Sequence, residues 1–185
     1  MNRAILALTV GVFGWASGSQ MAAANPPNGY FKMQTMFQMP NNRCLESNRV
    51  TPDAAYKGAA FLDRCQNVSG QLWKAVPIGR GWFRLQSQYL EAENFCLEGS
   101  KPFMAGDALK GAARMDPCGN FSGQNWRFIP KPDGFYQLTT EFLEEENRCL
   151  EGSTPETAND PLSGAARMDP CGNFSGQLWK LIPAE

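Results

Sequence analysis

The stretch GAARMDPCGNFSGQNW, from Gly111 to Trp126, returns as GAARMDPCGNFSGQLW from Gly164 to Trp179 with one residue changed. A looser copy runs from Gly58 to Trp73. The tryptophans that end the three copies are 53 residues apart along the chain. A fixed period of this length is typical of supersecondary units that share one core. We therefore expect three repeats, at about residues 29–80, 81–133 and 134–185.

Each repeat contains four short apolar or aromatic runs separated by Gly, Pro and Asn, which is the pattern of an all-β fold. No segment shows a sustained helical period, so the sequence predicts twelve strands, four per repeat. A unit of about fifty residues has too little core to be stable alone, and three units should pool their apolar faces. The third strand of each repeat is predicted to begin at an alanine and the fourth at a glutamine: Ala59–Cys65, Ala112–Cys118, Ala165–Cys171, Gln71–Val76, Gln124–Ile129 and Gln177–Ile182.

The N-terminus has the composition of a secretory signal peptide. A positive start with Arg3 is followed by a short apolar run from Ala4 to Phe13 and by small residues up to Ala24. This layout predicts cleavage after residue 24 and a single mature domain at 25–185, secreted or periplasmic. A retained N-terminal anchor is the alternative. The apolar run is too short to span a bilayer, and no later stretch is predicted to span one.

Six cysteines occur as one pair per repeat at nearly equal spacing, which together with a signal peptide indicates a disulfide framework. Because each repeat should make the same bridge, the repeat selects one pairing out of the fifteen that six cysteines allow. Zinc binding is the competing interpretation, but it calls for Cys-x-x-Cys pairs or histidines, and the chain has neither. The predicted bridges are Cys44–Cys65, Cys96–Cys118 and Cys149–Cys171.

Composition excludes several classes of function. The chain has no histidine, which removes Ser-His and Cys-His nucleophilic pairs and the commonest metal ligand. The formal net charge is −1, without the basic surplus that is typical of nucleic-acid binding. We predict no metal, no cofactor, no nucleic-acid partner and no enzymatic activity.

Two sets of triplets recur in register with the cysteine pairs. They are Gln-x-Trp at Gln71–Trp73, Gln124–Trp126 and Gln177–Trp179, and Cys-Leu-Glu at Cys44–Glu46, Cys96–Glu98 and Cys149–Glu151. With these triplets the mature chain, over about residues 30–184, resembles the ricin-type β-trefoil lectins. The resemblance implies a six-stranded barrel capped by three hairpins around a pseudo-threefold axis, with up to three shallow sugar pockets. The Gln-x-Trp triplets are predicted to be structural, with Trp in the core and Gln bonded to backbone.

The chain departs from the family pocket at each of its three positions. The family has Asp two residues after the first cysteine, an aromatic two residues before the second, and Asn next to Gln-x-Trp. Here these positions hold Glu46, Glu98 and Glu151, then Asp63, Asp116 and Asp169, then Gly70, Gly123 and Gly176. Galactose specificity therefore does not follow from the resemblance. No aromatic replaces the lost one in all three repeats, although Tyr56, Phe61 and Phe103 are candidates from loops.

The remaining polar residues predict an acid–base cluster in repeats two and three. On a strand, residues two apart share a face, so Arg114 and Asp116 should meet Glu98 from the neighbouring strand. This cluster is either a structural ion-pair group or a polar pocket for sugar hydroxyls. Repeat one has Phe61 in place of the arginine. The candidate ligand-binding residues are Glu98, Arg114, Asp116, Asn120, Glu151, Arg167, Asp169 and Asn173.

Two functions fit these features. The first is an exported, non-enzymatic carbohydrate-binding module whose partner is a glycan or glycoconjugate. The second is a protein-interaction module, such as an inhibitor or a toxin-adhesion subunit, whose sugar sites have been lost. Paired carboxylates also suggest glycoside hydrolysis, but these acids recur in equivalent places, whereas a catalytic pair needs two unlike environments. The acidic run at Glu141 and Glu144–Glu146 is predicted to be a solvated turn.

Overall fold

The computed structural model describes residues 25–47, 58–99, 111–152 and 163–184, and these form twelve strands joined by turns and by 3-10 turns of three residues. Each repeat contributes four of the twelve, as predicted. The strands are β1 Tyr30–Thr35, β2 Arg43–Glu46, β3 Phe61–Arg64, β4 Trp73–Gly79, β5 Trp82–Ser87, β6 Phe95–Glu98, β7 Arg114–Pro117, β8 Trp126–Lys131, β9 Phe135–Thr140, β10 Arg148–Glu151, β11 Arg167–Pro170 and β12 Trp179–Pro183.

Six strands close into an antiparallel barrel in the order β1-β12-β9-β8-β5-β4, and the other six form the hairpins β2–β3, β6–β7 and β10–β11. Closure removes the exposed strand edges that an open sheet would present. This arrangement is a β-trefoil, with the three repeats related by a pseudo-threefold axis. The predicted all-β trefoil is confirmed.

The repeated tryptophans form the centre of the core. Trp73, Trp126 and Trp179 are fully buried, and each is worth about 2–3 kcal/mol on burial. Burial would leave the indole N–H unsatisfied, so each one donates to the backbone carbonyl of the Cys-Leu-Glu leucine in its own repeat. The three distances are 2.8 Å to Leu45, 2.7 Å to Leu97 and 2.8 Å to Leu150.

Three alanines close a ring of backbone hydrogen bonds around the axis. The Ala60 N–H donates to Ala113 at 2.8 Å, Ala113 to Ala166 at 2.8 Å and Ala166 to Ala60 at 2.9 Å. The alanine before each of these also packs against its two counterparts, because only a small side chain fits where three copies meet. The glycines before them have positive φ, between 78° and 86°, which turns the chain onto the axis: Gly58, Gly111 and Gly164.

This ring corrects the predicted start of the third strand in each repeat. The strands begin at Phe61, Arg114 and Arg167, two residues later than predicted. The alanines bond to neighbouring repeats instead of continuing their own hairpins. The fourth strands likewise begin at the tryptophans, because each glutamine closes a 3-10 turn with the Ser-Gly before it.

All six cysteines are paired as predicted: Cys44–Cys65, Cys96–Cys118 and Cys149–Cys171. Each bridge joins the first strand of a hairpin to the residue that directly follows its second strand. Within the described residues, no helix has the length and apolar character needed to cross a membrane. The predicted signal peptide at 1–24 lies outside those residues.

Candidate functional site

The predicted acid–base cluster forms in repeat two. Glu98 on β6 faces Arg114 on β7 across the hairpin, and Asp116 follows two residues later. Arg114 Nη2 lies 3.6 Å from Glu98 Oε1 and 3.1 Å from Asp116 Oδ2. Arg114 therefore holds both carboxylates. In repeat three the register is the same, with Glu151 opposite Arg167.

The Gln-x-Trp glutamine holds the Glu of this cluster from the other side. Gln124 Nε2 donates to Glu98 Oε2 at 3.2 Å, and Gln177 Nε2 donates to Glu151 Oε2 at 2.9 Å. The same Nε2 also donates to the carbonyl of Pro117 or Pro170. The prediction that the glutamine is structural and bonds to the backbone is confirmed. Its hydrogen bonds also hold the Glu carboxylate.

The glycine before each glutamine makes room for that Glu. A Cβ built on Gly123 would lie 3.2 Å from Glu98 Cγ, and one on Gly70 would lie 3.1 Å from Glu46 Cγ. Both distances are tighter than ordinary carbon contacts. Glycine at this position therefore leaves the space in which the Glu side chain folds back onto the glutamine.

An open cleft of about 700 Å³ lies in repeat three. It brings together three of the predicted site residues, Glu151, Asp169 and Asn173, and adds Phe174. Asp169 and Asn173 are exposed, whereas Glu151 is half-buried. In repeat two, the equivalent residues occupy the equivalent hairpin and loop.

Sequence reasoning missed the aromatic residue of this site. Phe174 is 58% exposed, and its counterpart Phe121 in repeat two is 59% exposed. Each follows the site asparagine directly, on the loop after the second cysteine. The repeat supplies a signal that could have found them, because both phenylalanines replace Val68 of repeat one next to the same Asn. Of the earlier candidates, Phe61 packs against the axial alanines, and Tyr56 and Phe103 lie outside the described residues.

The loop that presents Phe174 is anchored by both backbone groups of Gly172. Its N–H donates to Gln177 Oε1 at 2.9 Å, and its carbonyl accepts from Gln137 Nε2 at 2.6 Å. In repeat two, the Gly119 N–H donates to Gln124 and its carbonyl accepts from Arg84, at 2.9 and 2.6 Å. An exposed aromatic side chain is thus held on a firmly bonded loop.

The phenylalanine ring lies directly against this glycine. A Cβ added at Gly172 would lie 2.4 Å from Phe174 Cε2, and one at Gly119 would lie 2.4 Å from Phe121 Cε2. No side chain larger than hydrogen can occupy these positions unless the ring moves. Repeat one has Gln66 at this position and the smaller Val68 in place of the ring.

The carboxylates of the cleft repel each other. Partial burial raises the pKa of Asp169, and the Glu151 carboxylate raises it further. The Arg148 and Arg167 guanidinium groups lower the pKa of Asp169 without cancelling the rise. Across the described ranges, no group of three or more acidic or cysteine side chains is placed to hold a metal ion.

Comparison with solved structures agrees on the fold. A designed threefold-symmetric protein, ThreeFoil, superposes with a TM-score of 0.62 at 16% identity, over 85% of this chain and 100% of the designed one. The BEL β-trefoil gives a TM-score of 0.58 at 11% identity, over 85% and 96% of the two chains.

Part of a larger enzyme also superposes. A GlcNAcα1-4Gal-releasing endo-β-galactosidase from Clostridium perfringens gives a TM-score of 0.60 at 12% identity, over 86% of this chain and 34% of the enzyme. This chain thus spans about one third of that enzyme's length. No protein-family model and no curated protein matches the sequence. At these identities, the superpositions show that the chain has the β-trefoil fold.

Proposed function

We propose that this protein is a non-enzymatic carbohydrate-binding protein of the ricin-type kind, with one site in repeat two and one in repeat three. The observation that supports it is the grouping of an exposed aromatic ring with a carboxylate and an amide in one cleft, at Phe174, Asp169 and Asn173. The proposal places the protein outside the cytosol, in the secreted or periplasmic space, and the three disulfides support this because such bridges form and persist mainly in oxidising compartments.

Each group has a distinct task in this proposal. The face of Phe174 carries the negative side of the ring quadrupole and receives the C–H face of a pyranose. The Asp169 carboxylate accepts paired hydrogen bonds from neighbouring hydroxyls, and the Asn173 amide both donates and accepts. Neither nitrogen nor oxygen of the Asn173 amide has a partner within the described part of the chain, so both are available to a ligand.

The Glu and Arg of each cluster are proposed to hold the Asp carboxylate in position. Glu151 is bonded to Gln177, and in repeat two Arg114 is bonded to Asp116. These residues set the direction of the Asp carboxylate and limit its movement. Fixing binding groups in advance lowers the entropy that is lost when a ligand binds.

Absence of catalysis is part of the proposal. A glycosidase needs one carboxyl group that keeps its proton and another that is ionised, in unlike surroundings. Here the same Glu and Asp recur in two repeats, and the Glu of each pair is bonded to a core glutamine. Release of sugar from any oligosaccharide that the protein binds would contradict this part of the proposal.

The first test is glycan binding by wild type, surveyed on an array and measured by calorimetry. We expect Phe174→Ala and Phe121→Ala each to weaken binding to clustered glycans about tenfold or more, and the double variant to abolish it. Asp116→Ala and Asp169→Ala should act in the same way. The matched control is Tyr89→Ala, because Tyr89 is also an exposed aromatic side chain, at 45%, but lies on the first turn of repeat two and outside the proposed sites.

A double-mutant cycle tests the aromatic platform itself. Gly172→Ala should weaken the repeat-three site as much as Phe174→Ala does, because the new methyl displaces the ring. Added to Phe174→Ala, it should have no further effect, since nothing remains to displace. Binding that survives Phe121→Ala/Phe174→Ala would overturn the site. Failure of every glycan to bind wild type would overturn the function and favour a protein-interaction module.

A further inference from the structure

Equivalent positions of the three repeats can be compared with one another. An ion pair that forms at two of the junctions between repeats does not form at the third, where the carboxylate is replaced by Met39. The residue after each Gln-x-Trp tryptophan is a cation: Lys74, Arg127 or Lys180. Lys74 pairs with Glu91, and Arg127 pairs with Glu144, each from the first turn of the following repeat. For Lys180 the following repeat is repeat one, and the equivalent position there is Met39.

Lys180 is consequently left with weaker partners. Its ammonium donates to the backbone carbonyl of Asp133 at 2.8 Å and lies 5.1 Å from the centre of the Phe135 ring. Within the described residues, no carboxylate lies within ion-pair distance of Lys180. Among the residues that the structure describes, the positive charge of Lys180 therefore has no carboxylate partner.

The turn beside Lys180 is apolar where its counterparts are polar. Met36, Phe37 and Met39 are exposed by 36%, 44% and 44%. The two methionines replace Gln88 and Glu91 of repeat two and Glu141 and Glu144 of repeat three. The turn is fixed against repeat three, because the Met36 N–H donates to Leu178 and the Phe37 N–H to Ser175. Met36, Phe37, Met39 and Lys180 together form what we call the junction patch.

The chain also presents a surface of complementary chemistry. In the equivalent turn of repeat three, Phe142 is 44% exposed, and Glu141, Glu144, Glu145 and Glu146 around it are exposed as well. Within the described residues, Glu145 has no ion-pair partner. We call residues 141–146 the acidic turn. It combines an aromatic ring with negative charge, and the junction patch combines flexible apolar side chains with a positive charge.

We propose that the junction patch binds the acidic turn of a second copy of this chain. Phe142 of the second copy packs among Met36, Phe37 and Met39 of the first. Glu145 of the second copy lies next to Lys180 of the first, where repeat one has Met39 instead of a carboxylate. Exposed apolar side chains beside an uncompensated charge are the features of an interface. A formal net charge of −1 puts little general repulsion between copies.

The proposed contact is head to tail. The patch and the turn are different surfaces, at equivalent places one repeat apart around the pseudo-threefold axis, so two copies joined by one such contact still have one patch and one turn free. The contact can then be made a second time between the same two copies, or further copies can add to form a larger ring or a chain. This inference does not depend on the sugar sites, because neither Lys180 nor Met39 belongs to them.

Sedimentation equilibrium of the mature protein, from about 5 to 500 µM, tests the proposal. We expect the average mass to rise with concentration to that of a dimer or a larger assembly, and to rise less in 0.5 M salt, which screens exposed charges. Lys180→Glu and Met39→Glu should each raise the concentration needed for association at least tenfold. Met39→Glu acts by supplying the missing partner within the same chain.

Two further samples make the test specific. Glu145→Lys alone should also raise the concentration needed for association at least tenfold, whereas an equimolar mixture of Lys180→Glu and Glu145→Lys should associate like wild type, because each supplies the charge that the other has lost. Lys74→Glu is the matched control and should associate like wild type. A wild type that stays monomeric, or that loses association equally with Lys74→Glu, would overturn the proposal.

Discussion

At the scale of single residues, the buried glutamine of each repeat joins three parts of the chain. Gln177 accepts from the backbone of the Phe174 loop, donates to the end of β11 at Pro170 and donates to Glu151 on β10. Its side chain is fully buried, so water cannot replace these bonds when the glutamine is removed. The residue thus connects the core of repeat three to its candidate site.

Gln177→Ala should lower the free energy of unfolding by about 2–4 kcal/mol, since it leaves several buried groups without partners at about 1–3 kcal/mol each. Urea denaturation at pH 7 measures the loss. Gln66→Ala is the control, because Gln66 is exposed, and it should change stability by less than about 0.5 kcal/mol. Equal losses in the two variants would show that the buried hydrogen bonds carry little stability.

The raised pKa of Asp169 predicts how the stability of the fold changes with pH. Its raised pKa means that the folded chain keeps a proton that the unfolded chain has already released. The contribution of Asp169 to the free energy of unfolding is therefore complete below the ordinary aspartate pKa of about 4. This contribution is lost as the pH rises through the raised pKa of the folded chain.

Asp169→Asn removes this loss, because the amide does not ionise. The stability of the variant relative to wild type should therefore increase between pH 3 and pH 7, as measured by urea unfolding at several pH values. Asp116→Asn is the comparison, because it removes the 3.1 Å ion pair with Arg114 and should show no such gain. A difference between Asp169→Asn and wild type that stays flat or falls with pH would contradict the assignment.

At the scale of elements, the three hairpins rely on their disulfides. Each strand of β10–β11 has only four residues, and a hairpin this short is marginal in water. The Cys149–Cys171 bridge joins residues 22 apart in sequence. In the chain-entropy model, a bridge of this span restricts the unfolded chain and stabilises the fold by about 3 kcal/mol.

The Cys149→Ala/Cys171→Ala variant should therefore lose about 3 kcal/mol of unfolding free energy in urea. The equivalent variant of repeat two, Cys96→Ala/Cys118→Ala, should lose a similar amount, because its bridge has the same span. A loss below about 1 kcal/mol in both would mean that the hairpins are held mainly by packing on the barrel.

At the scale of the whole molecule, closure of the three repeats depends on the axial alanines. Ala59, Ala112 and Ala165 are buried to 1% exposure or less, and each packs on the other two. A larger side chain in any one copy therefore pushes on all three repeats at once.

The proposed glycan sites in two repeats, combined with the proposed assembly of several copies, would give high avidity for clustered sugars.

Ala112→Val should lower the free energy of unfolding by about 1–3 kcal/mol through overpacking at the axis. Thermal and urea unfolding measure the effect. Ala92→Val is the control, since Ala92 is exposed on a turn, and it should leave stability nearly unchanged. A stable Ala112→Val variant would show that the axis has more free space than the buried alanines indicate.

Much of the candidate site was visible in the sequence as a set of residue types at fixed spacings. Glu98, Arg114 and Asp116 could be placed in one cluster because side chains two apart on a strand share a face. Phe174 could not be placed in this way. Its exposure depends on Gly172 and on the bonds from Gln137 and Gln177, which come from other parts of the repeat.

The sequence by itself determined the three repeats, the cysteine pairing and the buried tryptophans, because a 53-residue period and one cysteine pair per period can be counted along the chain. Only the tertiary structure decided the role of the Gly-Ala-Ala triplet and the bonding of Lys180 to a backbone carbonyl where Lys74 and Arg127 bond to carboxylates. Both depend on contacts between repeats: Ala60 bonds to Ala113 and Ala166, and Lys180 lies at the junction with repeat one. Residue spacing within one repeat carries no information on how the copies meet once the barrel has closed.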